Sequence, residues 1–120
     1  MPRLWTVLAA LNAFLAVGAG AFGAHGLRSR VTPRLLEVWE TASRYQMYHA
    51  LGLLAVAWLA TEKGDVANPA GWAMLAGIVL FSGSLYAMTL TGVTRLGAIT
   101  PLGGVGFLVG WAHLARAGLR

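Results

Sequence analysis

His49 stands directly before a clean apolar run, Ala50 to Ala60, and three other uncharged stretches each offer a polar residue of their own: Asn12, Ser82 and Thr100. An imidazole titrates near neutrality, so a histidine held among amides and hydroxyls at membrane depth could pass a proton or hold an ion or a small lipophilic ligand. Gln46, Ser84 and His25 complete the candidate set. The plainer account is that such residues bond to one another, or to carbonyls of their own helices, and fix helix register.

Other chemistries fit less well. The chain has no cysteine, which removes disulfides, thiolate metal sites and cysteine nucleophiles. On antiparallel helices rising about 1.5 Å per residue, His25 and His49 stand about 16 Å apart in depth, and His113 lies near the opposite interface. Neither a shared metal ion nor bis-histidine haem ligation is expected, and the sequence implies no cofactor. Glu40 and Arg44 are spaced i,i+4 in the favourable order, with Glu37 one turn earlier, and read as an ion pair easing a charged segment into the headgroup region. As acid and base these carboxylates have no partner nucleophile. No phosphate-binding loop, nucleophile elbow, zincin helix or dinucleotide fingerprint appears, so the chain is not expected to be an enzyme and no catalytic residue is assigned.

The elements that must position these residues are apolar. Hydrophobic residues make up 58% of the 120 and charged residues 11%, a composition of the membrane class and a length for one domain, residues 1–120. Spans are expected at about 4–24, 39–60, 71–90 and 96–115. An amphipathic helical lead at about 33–38 begins at Thr32-Pro33, a suitable cap and first-turn pair. Met1-Pro2-Arg3 and the small residues Ala19-Gly20-Ala21 resemble a signal peptide, but the first span is longer than a signal h-region of about 7 to 15 residues. Short connections at 61–70 and 91–94 favour antiparallel neighbours. The expected fold is an all-α membrane protein, an antiparallel four-helix transmembrane bundle with both termini on one side.

Trp5, Trp58, Trp72 and Trp111 each lie near an end of one span and fall on the same side if the spans alternate, as interfacial indoles would. Measured from these markers, Asn12, His49, Ser82 and Thr100 come to similar depth and suggest one polar layer near the midplane. Trp39 would then mark the opposite interface. Thr100-Pro101 adds a break: either the last helix kinks there, or it begins at Pro101 with Thr100 as its cap.

Small residues at helical spacing mark packing faces. They are Ala9, Ala13, Ala16 and Gly20 on the first span, Ala73 and Gly77 on the third, and Gly103, Gly106 and Gly110 on the fourth. On the second, Ala42, Tyr45, His49, Gly52, Val56 and Ala60 share the face expected inside. Such faces also suit packing against a second copy or another membrane protein. The net charge of +5 comes from residues at the ends and connections of apolar runs, without a basic face, so the lipid bilayer and not nucleic acid is the expected partner. Arg3, Lys63, Arg116 and Arg120 on the terminal side stand against Arg28, Arg30, Arg34, Arg44 and Arg95, a balance read as a cell-membrane protein with a slight lean towards cytoplasmic termini.

Several of these segments together are distinctive. Gly20-Ala21-Phe22-Gly23-Ala24-His25-Gly26-Leu27, Trp39 with Thr41-Ala42, Tyr45-Gln46 and His49-Ala50-Leu51, Phe81-Ser82-Gly83-Ser84-Leu85-Tyr86, and Leu96-Gly97-Ala98-Ile99-Thr100-Pro101-Leu102-Gly103-Gly104 occur in that order. In them the chain resembles the bacterial membrane-protein family called domain of unknown function 423, related to transmembrane protein 256 of eukaryotes. That resemblance implies a four-span membrane protein, supplies no activity, and marks His25, Gln46, His49, Ser82, Ser84, Thr100 and Pro101 as matching motif residues. The functional expectation is a non-enzymatic structural or accessory membrane component. The alternative is binding or transport of a proton, ion or small lipophilic ligand around His49.

Overall fold

A computed structural model describes residues 1–120, and all its regular structure is helical. Helix α1 covers Pro2–Phe22 and runs into a wider π turn at Gly23–Leu27. Helix α2, Pro33–Lys63, is the longest element, and it starts where the sequence says it should. Thr32 accepts a hydrogen bond from the Leu35 N–H at 3.2 Å, while Pro33 occupies a first-turn position where its missing N–H costs nothing.

Three stretches are long and apolar enough to cross a membrane: Pro2–Leu27, Pro33–Thr91 and Thr94–Gly118. The second is not one rod. Its 59 residues would measure about 89 Å as straight helix, whereas the molecule is 48 Å in its longest dimension. The chain turns at Gly64, whose φ of 71° and ψ of −140° are readily adopted only without a Cβ. After a 3-10 turn at Gly64–Ala67 come α3, Asn68–Gly77, a π turn at Ile78–Ser82, and α4, Gly83–Thr91, in one continuous run. Gly92, at φ 73°, ends it in the left-handed conformation. A 3-10 lead at Thr94–Ala98 then brings in α5, Thr100–Gly118.

Contacts at the ends of the elements fix how they lie. The Trp5 indole donates to Asn68 Oδ1 at 2.9 Å and covers Gly71, so the start of α1 meets the start of α3. Lys63 donates to the Gly118 carbonyl, which puts the end of α2 beside the end of α5. At the far end of the molecule the Trp39 indole donates to the Ala19 carbonyl at 2.7 Å, and Thr89 donates to the Leu35 carbonyl at 3.2 Å.

The core mixes large side chains with small residues that let the backbones come close. Trp5, Ala9, Leu53, Val56, Ala57, Ala70, Met74, Ile78 and Phe107 are buried in one cluster. Helix α5 approaches α3 and the following π turn closely: a Cβ on Gly103 would strike the backbone of Phe81, and one on Gly110 would lie 2.6 Å from the Met74 side chain. On α1 the expected stripe packs inwards, with Ala9 and Ala16 buried, and on α2 Ala42, His49, Gly52 and Val56 do the same. Tyr45 lies at the edge of that face, partly exposed but with its ring packed against Phe81. Large apolar side chains also cover the outside: Phe14 is 76% exposed and Leu108 is 72% exposed. A surface of this kind suits hydrocarbon rather than water.

Candidate functional site

His49 is buried in the middle of α2 with both ring nitrogens engaged. Its Nδ1 lies 2.7 Å from the Tyr45 carbonyl, one helical turn back, and its Nε2 lies 2.9 Å from the Trp111 indole nitrogen on α5. A carbonyl can only accept and an indole N–H can only donate, so the pair dictates the proton's position. Nδ1 carries the hydrogen, Nε2 is the acceptor, and the ring is neutral. The imidazole face stacks on Phe107, with centroids 3.5 Å apart and planes at 7°. Phe107 lies over Gly77, where a Cβ would displace it, so the α3 glycine, the α5 phenylalanine and the α2 histidine form one stack.

The remaining candidates join in separate groups staggered along α2. Gln46 donates to Asn12 Oδ1 at 3.1 Å and accepts from the Tyr86 hydroxyl at 2.7 Å. Asn12 donates in turn to the Leu8 carbonyl at 2.9 Å, which completes a chain from α1 through α2 to α4. Ser82 donates to the Ala42 carbonyl at 2.8 Å, about 10 Å along α2 from His49 at 1.5 Å per residue. Ser84 and Thr100 share a hydrogen bond of 2.7 Å between α4 and the start of α5. His25 is exposed on the π turn after α1. No three histidine or acidic side chains gather as metal ligands.

The structure thus brings Asn12 together with Gln46, and Ser84 with Thr100, and Gln46 lies one turn before His49 on α2, but none of these four hydrogen-bonds to His49. The depth markers explain the difference. Trp111, though 42% exposed, gives its N–H to His49 and so stands at that residue's height, and Thr100 lies 11 residues before it, about 16 Å away along α5. Helix α5 does begin at the Thr100-Pro101 break, although Thr100 spends its hydroxyl on Ser84 and caps nothing. Two residues that complete the arrangement were not singled out from sequence as site residues, Trp111 and Tyr86. The available signal was general: a tyrosine or tryptophan in an apolar span needs a partner for its polar atom.

Beside the His49–Phe107 stack, Tyr45, Tyr48, Phe81, Leu108 and Trp111 border a groove of about 430 Å³ that opens on the outer surface. It is apolar and aromatic throughout. The groove meets His49 at the ring, whose nitrogens are already in use.

Comparison with known proteins adds the family. A model described as a protein of unknown function (DUF423) matches residues 19–104. The UPF0382 membrane protein YwdK of Bacillus subtilis is 51% identical over 120 residues, covering 98% of each chain. A UPF0382 membrane protein of Staphylococcus epidermidis is 50% identical over 118 residues, covering 98% of this chain and 97% of that one. One from Staphylococcus saprophyticus is 52% identical over 112 residues, covering 93% of each. No solved structure matches the chain.

Proposed function

The chain belongs to the DUF423 family, alongside UPF0382 membrane proteins, and we propose that it serves the cell membrane as a non-enzymatic structural or accessory component. Four rods cross the bilayer alternately as an antiparallel bundle: α1, α2, α3 continued through α4, and α5. Both termini lie on one face, assigned here to the cytoplasm. The end-to-end contacts of Trp5 with Asn68 and Gly71, and of Lys63 with Gly118, support that arrangement. The long dimension of 48 Å also suits a bilayer of about 40–45 Å with its headgroups.

One observation carries the non-enzymatic reading: every buried side-chain nitrogen and oxygen has a hydrogen-bond partner within the chain. A proton relay or an acid–base pair needs a group with capacity left over at the point where substrate arrives. Here the polar residues act as register pins between helices, tying α2 to α1, α4 and α5, and α4 to the start of α5. Outer helix faces remain for a second copy or a membrane-protein partner.

A second reading has its own support in the groove beside His49, which is large enough for part of a small lipophilic ligand. Flux measurement separates a bundle of pins from a conductive site. With the protein reconstituted into vesicles holding a pH-sensitive dye, an imposed pH gradient should decay no faster than in protein-free vesicles. Decay that requires protein and disappears in His49→Asn would overturn the structural reading.

A further inference from the structure

At the end of the molecule where α2 finishes and α3 begins, a cleft of about 150 Å³ lies between the 3-10 turn and the last turns of α5. One wall carries the cations Arg116 and Arg120, with His113 beside them, and the other is Val66 and Pro69, with Ala117 also lining the cleft. A second hollow of about 290 Å³ shares His113 and Arg116 and continues along α5 past Ala112 to Val109. Positions 109, 112, 113, 116 and 120 fall on one stripe of the helix at spacings of three and four. Along that stripe, over about 16 Å, chemistry changes from apolar to cationic. The apolar end points towards the middle of the rods.

Two further features suit an anion at the cationic end. A helix C-terminus ordinarily repels negative charge through its free carbonyls, but Lys63 donates to the Gly118 carbonyl at 3.1 Å and offsets that field. The same end carries Arg3 as well, while its acidic side chains are Glu62 and Asp65, so side-chain cations outnumber side-chain carboxylates by four to two before histidine is counted. Trp72, one turn beyond Pro69 and half exposed, is placed where an indole meets the headgroup boundary.

We infer that this bipartite cleft is a binding site for one anionic phospholipid, its phosphodiester held by Arg116 and Arg120 and its upper acyl chain lying along Ala112 and Val109. Guanidinium groups suit phosphate because they donate in a planar fork, and basic pockets between helices at a membrane face select acidic headgroups. A neutral zwitterionic lipid offers the same tails without the net charge. This inference rests on the membrane placement proposed above.

The test uses the full chain in neutral detergent and native mass spectrometry. Dioleoylphosphatidylglycerol is titrated against dioleoylphosphatidylcholine, with sodium phosphate alone as a third arm. Phosphatidylglycerol should be retained at least about tenfold more tightly than phosphatidylcholine, and Arg116→Gln with Arg120→Gln should remove that preference. Ala112→Phe, which fills the trough and leaves the charges, should weaken phosphatidylglycerol retention by itself. Equal retention of the two lipids by the unaltered protein, or an undiminished preference in the double variant, overturns the site. Displacement of phosphatidylglycerol by millimolar phosphate would also overturn it, in favour of a free-anion site. Release of the protein from cell membranes by alkaline carbonate would refute the membrane placement itself, and with it this site.

Discussion

Gly103→Ala probes the tight approach of α5 to the π turn after α3. The added methyl would fall on the backbone nitrogen, Cα and Cβ of Phe81, and backbone atoms cannot rotate out of the way as a side chain can. Helix α5 must therefore move back from the α3–α4 rod at the point where Gly77, Gly106 and Gly110 set the spacing. Overpacking of this kind costs about 1–3 kcal/mol, and contact with backbone places it at the upper end. Alanine recovers up to about 1 kcal/mol over glycine in helix propensity, which leaves a net loss of about 2 kcal/mol. The adjacent Gly104→Ala is the matched control, because a Cβ there meets nothing within 4 Å and only the propensity gain remains. Equilibrium unfolding in mixed micelles, followed by helical circular dichroism against increasing dodecyl sulfate, should place Gly103→Ala below the parent chain and Gly104→Ala level with it or above. Equal stability of the two variants would refute glycine-mediated packing as the source of cohesion.

Two other perturbations test separate joints. His49→Phe should strand the Trp111 N–H in an apolar setting and cost about 1–3 kcal/mol, whereas Trp111→Phe together with it should cost less than the sum of the single changes. A double-mutant cycle measured by the same unfolding assay checks this, and strict additivity would deny the hydrogen bond its role. Gly64→Ala should destabilise by about 2 kcal/mol or more and Gly92→Ala by about 1 kcal/mol, because Gly92 sits in the left-handed region that alanine can reach and Gly64 does not. Thermal unfolding in detergent ranks the two, and the reverse order would contradict the turn geometry.

Much of the fold was legible because its signals are local. The Thr32-Pro33 start, the small-residue stripe of Ala9 and Ala16, and the break at Thr100-Pro101 each depend on residues within a turn or two of one another, and each reappears in the structure. The pairing of polar groups was not legible, since it depends on how far each rod slides past its neighbour. Depth read from tryptophans assumed that every indole seeks the interface. Trp5 and Trp39 do keep to opposite ends of the molecule, although buried with their N–H groups on Asn68 and on the Ala19 carbonyl, but Trp111 stands at the height of His49 in mid-α2. An indole is as good a donor inside a bundle as at its edge, so sequence position alone does not give its height. The π turns at Gly23–Leu27 and Ile78–Ser82 compound this, because each widened turn rotates the residues after it relative to a regular helix, and nothing in composition announces one. Gly23 is the partial exception, lying under the Trp39 ring where a Cβ would not fit.

The identity of what lies against the two nitrogens of His49 decides between a bundle pinned by its polar groups and a bundle built around a site. A crystal structure grown from a lipid phase, at a resolution that shows ordered water, measures this directly. The Tyr45 carbonyl and the Trp111 indole should fill both positions, with no water or ligand between them. Density for a bound molecule or a water chain on either ring nitrogen, with Trp111 turned away, would contradict the structural role.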